Sequence, residues 1–179
     1  MMSNANGDDS AIASVLSGVV VTGDQNLLAD TAVSGIQGAR AALETFYYAF
    51  NTRSVDLYKE IWADDPLVQL YSPFAGMVRG HASIAAIADR MLSSPVRIKT
   101  VVEDIVAYVT PELTVFTGRE HGAYTQDGEH SAVSQPAESR FICIFRFIAE
   151  QGGWRQVYHH VSLEDADQLA RFQHAVRGA

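Results

Sequence analysis

The sequence predicts an α+β domain in which helices come first and an antiparallel sheet follows. Two observations carry this. Apolar residues recur at helical spacing up to Leu92, and from Val96 to Ser162 four β-rich segments follow one another across turn residues. No glycine-rich dinucleotide or phosphate loop interrupts that order, so no cofactor is expected.

Each element has its own signal. Ile36, Leu43, Phe46, Tyr47 and Phe50 mark one face of a first helix that stops at Asn51-Thr52. Ser54 is placed to cap a second helix, with Asp56 in its first turn and Leu57 and Ile61 one turn apart. Asp64-Asp65-Pro66 breaks it. Residues 67–73 read as a short strand and 74–80 as a loop or second short strand. Residues 81–92 form a third helix with Ile84, Ile87, Met91 and Leu92 inward, ended by Pro95.

Strands are then expected over 96–109, 113–125, 139–149 and 154–162. The polar stretch 126–137 joins the middle two and is long for a hairpin connection. Residues 163–176 return to helical spacing. Long strands with half-polar faces need covering on both sides; the helices cover one, and a second copy of the chain, as a homodimer through the sheet, covers the other.

A chain of 179 residues suits one domain, here 31–179, preceded by an extension over 1–30 that is partly disordered or packed on a partner. The apolar stretch 10–23 follows Asp8 and Asp9 with no basic residue, so it is not read as a targeting signal, and it is too short for a bilayer. The net charge of −8 repels phosphate backbones and speaks against nucleic acid. The single cysteine, Cys143, forbids an internal disulfide and suits a cytoplasmic location. The six histidines have no trusted ligand spacing, so no metal is expected.

Three phrases carry a resemblance: residues 46–73, Gly80-His81-Ala82-Ser83-Ile84, and the pair 139–147 with 152–162. They resemble the nuclear-transport-factor-like superfamily, its SnoaL-like branch above all, and are similar to the association domain of calcium/calmodulin-dependent kinases. That family ends its sheet with a tryptophan, then histidines four and six residues on and a serine eight on. Trp154, His160 and Ser162 match; Tyr158 stands where the first histidine would be. The resemblance implies a cone-shaped domain whose N-terminal helices pack on a strongly curved, mainly antiparallel sheet around a pocket. It implies no single chemistry, since isomerases, dehydratases, cyclases and binding modules share the fold.

Candidate site residues follow from strand faces. In a regular closing strand Trp154, Gln156, Tyr158, His160 and Ser162 share one side, and His159 the other. On that reading His160 is the general base or acid and Tyr158 a hydrogen-bond donor, against the alternative of a dimer contact. Trp154 and Gln156 join them as ligand contacts. Arg119 and Arg140 are candidate anion holders, or else members of surface ion pairs with Glu120 or Glu138; Arg140 also resembles by position a pocket arginine of the kinase association domains. Glu103 and Asp104 are adjacent in a long strand, so one faces inward unless the strand bulges, which makes Glu103 a candidate catalytic carboxylate. Trp62, Tyr71 and Phe74 are expected to shape the apolar mouth.

Together these give a pocket for a small, largely apolar ligand bearing a carbonyl or carboxylate. The expected function is a cofactor-independent isomerase, dehydratase or cyclase acting on a cyclic or polyketide-like substrate. The alternative is a non-catalytic binding or association module of the same fold.

Overall fold

The computed structural model describes residues 13–73, 75–126, 135–163 and 165–177. The chain runs β1 (Ala13–Val15), α1 (Gly35–Thr52), α2 (Val55–Ile61), β2 (Gln69–Ser72), β3 (Gly76–Arg79) and α3 (His81–Leu92). It continues β4 (Val96–Val109), β5 (Leu113–Gln126), β6 (Gln135–Ile148), β7 (Gly153–Leu163) and α4 (Ala166–Arg177). Among the described residues the strands form one seven-stranded sheet in the order β1-β4-β5-β6-β7-β2-β3, antiparallel except where β2 lies parallel to β7. No helix among the described residues is long and apolar enough to cross a bilayer.

Helix α1 lies along the inner side of the sheet because its buried face combines small and large residues. Ala39, Ala42 and Ala49 are fully buried and let the helix approach closely, while Leu43, Phe46 and Tyr47 fill the core beneath. The helix ends at Arg53, in the left-handed region at φ 60°, whose guanidinium donates to Leu92 O and Ser94 O at 2.6 Å each. That ties the end of α1 to the end of α3. Ser54 occupies the N-cap position of α2, but its side chain makes no capping bond.

From Ala13 onward the N-terminal segment runs along its own sheet edge. Ala13, Ser14 and Val15 pair with Tyr108, Ala107 and Val106, and Val21 bridges to Val102. Strand β6 begins at Gln135, earlier than the expected residue 139, because its pairing with β5 extends to Tyr124.

Two bulges decide which side chains enter the cone. In β4 the register steps from Glu103↔Arg119 to Val106↔Thr117, so Asp104 and Ile105 together face Gly118. Asp104 absorbs the step at φ 53°. In β7 the register steps from Tyr158↔Ile144 to Gln156↔Phe145, leaving Val157 as the extra residue. Bulges of this kind bend and twist a sheet, as curling around a core requires.

Gly118 is the backbone partner of the first bulge. A Cβ there would lie 2.7 Å from Glu103 O and 2.9 Å from the Phe141 ring. The substitution Gly118→Ala is expected to destabilise the domain by about 1–3 kcal/mol through overpacking, read as a lower urea midpoint at unchanged m-value. A variant as stable as the parent would show that the bulge is not held from this side.

Candidate functional site

Inside the cone, α1, α2 and α3 close over the inner faces of β2, β4, β5, β6 and β7 and leave a cavity of about 80 Å³. Most of its wall is apolar, with Phe46, Phe50, Leu70, Met91, Ile98 and Val161 prominent. The polar lining comes from Tyr47, Tyr58, Ser72, Thr100, Glu120, Ser139 and His159. A water needs roughly 10–15 Å³ by such a measure, and a cavity of roughly 150 Å³ admits benzene. The space therefore suits a few heavy atoms, or the reactive end of a longer molecule.

At its centre stands Glu120. Strand β5 alternates Phe116, Gly118, Glu120, Gly122 and Tyr124 on one face, and the buried Phe116 and Tyr124 make that face the inner one. Glu120 is 8% exposed. Its Oε1 accepts a hydrogen bond from Tyr47 Oη at 2.7 Å, and its Oε2 accepts one from Ser139 Oγ at 2.7 Å. Burial raises the pKa of this carboxyl, and the two hydroxyl donors act against that rise. Burial, followed by the Glu120 charge, pushes the Tyr47 hydroxyl well above its ordinary value.

His159 is the second inner group. Its Nε2 lies 4.0 Å from Glu120 Oε1, its Nδ1 lies 3.0 Å from Cys143 Sγ, and its ring packs on Phe46 at 4.7 Å. Burial, with a smaller contribution from His160, lowers its pKa to about 3, so the imidazole is neutral. Burial likewise raises the Cys143 thiol, with the Glu120 charge adding to it.

The expected site residues lie elsewhere. The bulge at Val157 places Trp154 and Gln156 inward but turns Tyr158 and His160 outward, which corrects the regular alternation and puts His159 in the cone. Outside, Tyr71 packs against Tyr158 at 5.6 Å and against His160 at 5.7 Å. With Ser162, Tyr71 and His160 line an open groove against Leu169 and Gln173 of α4. Glu103 is also outside: its strand does bulge, so neither it nor Asp104 turns inward, and Glu103 Oε1 sits 2.8 Å from His121 Nε2.

Arg119 faces outward 3.9 Å from Asp104, and the exposed Arg140 is its cross-strand neighbour. Trp154 is fully buried and donates its indole N–H to Val33 O at 3.1 Å, an anchor for the segment before α1. Trp62 and Gln156 are buried beneath the cavity and do not line it; Trp62 Nε1 and both polar atoms of the Gln156 side chain make no hydrogen bond among the described residues. Phe74 lies outside the described residues. Of the expected residues that the structure describes, none lines the cavity.

Helices stacked on a curled, mainly antiparallel sheet around a polar-centred cavity define the α+β cone of the nuclear-transport-factor-2-like superfamily. The family profile described as a SnoaL-like domain matches residues 39–166, and the chain belongs to that family. Among solved structures it is similar to a candidate calcium/calmodulin-dependent protein kinase type II association domain from Thiobacillus denitrificans. The identity is 25% and the TM-score 0.55, over 70% of this chain and 94% of the other. It is similar in fold to a candidate dehydratase of the NTF2-like family from Streptomyces avermitilis, at 18% identity and TM-score 0.62, over 72% and 95%. A ketosteroid isomerase-like protein from Erwinia carotovora atroseptica shares the fold at 17% identity and TM-score 0.58, over 70% and 93%. No curated protein matches the chain.

The neutral His159 has a consequence for stability. An unfolded histidine takes its proton near pH 6.5, whereas the folded chain leaves His159 unprotonated down to about 3. Between those values the unfolded state binds the extra proton, so this contribution to stability is lost as pH falls. Glu120 acts oppositely: its raised pKa favours the fold at low pH, and that contribution is lost as pH rises through the folded value. The variant His159→Gln should therefore show an acid limb shallower than the parent's by up to about 1.4 kcal/mol per pH unit, measured by urea unfolding between about pH 4 and 6. Equal slopes would place a protonated His159 in the fold.

Proposed function

We propose that the protein carries out cofactor-independent acid–base chemistry on a small uncharged carbonyl compound held in the cone. The reaction class is proton abstraction beside the carbonyl, leading to isomerisation, dehydration or cyclisation. The observation that carries this is Glu120, a carboxyl in an apolar cavity, held by two hydroxyls, with a neutral imidazole beside it. A carboxylate whose pKa is raised by burial is a stronger base once ionised, and its titration moves towards working pH. The similar folds named as a candidate dehydratase and a ketosteroid isomerase-like protein support the same class.

The ligand reading narrows from carbonyl or carboxylate to carbonyl. Among the described residues no Lys or Arg lines the cavity, and Arg119 and Arg140 both face outward, so an anionic ligand would meet Glu120 without a counter-charge from them. A polyketide-like molecule would enter only by its reactive end. A reducing compartment such as the cytoplasm suits this reading, since Cys143 is a free thiol.

The second reading is an association module, favoured by the outer face of the sheet. There Tyr108 and Ile142 are exposed large side chains beside the charged group of Glu103, Asp104, Arg119 and Arg140. A homodimer through this face would cover them, and it is compatible with chemistry inside the cone.

Proton abstraction can be tested without the true substrate. In D2O, small ketones and β-hydroxy ketones should exchange their α-hydrogens faster with the protein than with buffer, followed by NMR. Glu120→Gln should lose that acceleration by about 10²–10⁴-fold. Ketone binding with no exchange in the parent would favour the association module instead.

A further inference from the structure

The His159 ring sits between the two buried acids. Nδ1 faces the Cys143 sulfur at 3.0 Å, and Nε2 faces the cavity with the nearest Glu120 oxygen at 4.0 Å, beyond hydrogen-bond length. Turning the ring over would set a carbon at 3.0 Å from sulfur, inside the roughly 3.5–4.0 Å optimum for non-bonded contact between carbons. A nitrogen therefore faces the thiol, and which one carries the proton depends on that contact.

Cys143 is fully buried, and burial keeps its thiol protonated. A thiol donates weakly and accepts weakly, whereas the bare nitrogen of a neutral imidazole is a good acceptor. The Tyr47 hydroxyl also reaches the Cys143 sulfur, but it gives its own proton to Glu120 Oε1 at 2.7 Å, which leaves the S–H a choice between a phenol oxygen and Nδ1. The imidazole nitrogen is the stronger acceptor, and the reverse pairing would spend the imidazole N–H on a poor one, so S–H donates to Nδ1. The imidazole proton then sits on Nε2, pointing into the cavity.

We propose that Cys143 is a positioning residue that fixes His159 in its Nε2–H tautomer, so that this imidazole donates to the ligand's carbonyl oxygen and Glu120 takes the proton. The role given to the ligand rests on the proposed function; the tautomer does not. In the step this implies, the α C–H bond breaks and its proton passes to the ionised Glu120. The electron pair moves onto the carbonyl oxygen, where the Nε2–H hydrogen bond strengthens as charge develops. Glu120 then returns the proton to another carbon, so an isomerisation closes with no proton consumed. The arrangement calls for a ligand with an acceptor oxygen beside Nε2 and an acidic C–H facing Glu120, a ketone or enone rather than an ester of a charged acid.

The test is a long-range ¹H–¹⁵N correlation on histidine-labelled, full-length protein at neutral pH, which separates protonated from bare ring nitrogens. The expected spectrum has His159 protonated at Nε2 and bare at Nδ1. Cys143→Ser should keep that pattern, because a hydroxyl also donates, and Cys143→Ala should move proton population to Nδ1. An Nδ1–H tautomer in the parent, or an unchanged tautomer in Cys143→Ala, would overturn the proposal. The parent spectrum decides the first point even if a variant fails to fold. Loss of ketone exchange with the Nε2–H tautomer intact would instead remove the proposed function alone.

Discussion

A carboxyl group enclosed in an apolar cone must be satisfied from inside the protein, and much of this fold is arranged around Glu120. An unpaired buried polar group costs about 1–3 kcal/mol, and an unpaired charge more. The two donors that meet Glu120 come from different layers, Tyr47 from α1 and Ser139 from β6. Correct seating of α1 on the sheet is therefore coupled to satisfaction of the acid. The close approach of α1 through Ala39, Ala42 and Ala49 places Tyr47 where it can reach. The packing of the core and the polarity of the site are one constraint seen from two sides.

The bulges set the rest. Without the step at Asp104, β4 would send Glu103 or its neighbour inward and give the cone a second carboxylate facing the first. Without the extra residue at Val157, the cone would receive Tyr158 and His160 and lose His159. Each bulge also bends its strand, so the curvature that creates the cavity and the choice of groups that line it have one cause. On the outside, the displaced side chains form two patches: aromatic around Tyr71, Tyr158 and His160, and charged around Glu103, Asp104 and Arg119.

The architecture was legible in the sequence because it rests on periodicity, which survives local irregularity. Phe46, Tyr47 and Phe50 announced the inner face of α1, and the turn at Gln151-Gly152 separated the last two long strands. The inner face of β5 was legible too, since Phe116 and Tyr124 bracket Glu120 at even spacing; that signal would have selected Glu120 over Glu103. The face of His159 was not legible. A single inserted residue reverses every side chain beyond it, and Val157 carries no glycine or other mark of a bulge. The likeness of Trp154, His160 and Ser162 to the family's closing strand therefore located the strand and the inward Trp154 correctly, but not the inward residues beyond the bulge. The cavity volume has no sequence signature at all, because it is what remains after side chains from eight elements have packed.

Ligands are expected to meet Glu120 and His159 inside the cone rather than Tyr158 and His160 outside it. Crystals soaked in dimethyl sulfoxide test this most directly. That molecule is uncharged and compact, carries a carbonyl-like acceptor oxygen, and has a sulfur visible by anomalous scattering. The expected result is a sulfur peak within the cavity, with the oxygen in hydrogen-bond reach of His159 Nε2. A peak confined to the outer groove beside Tyr71 and His160, with side chains filling the cone, would contradict it.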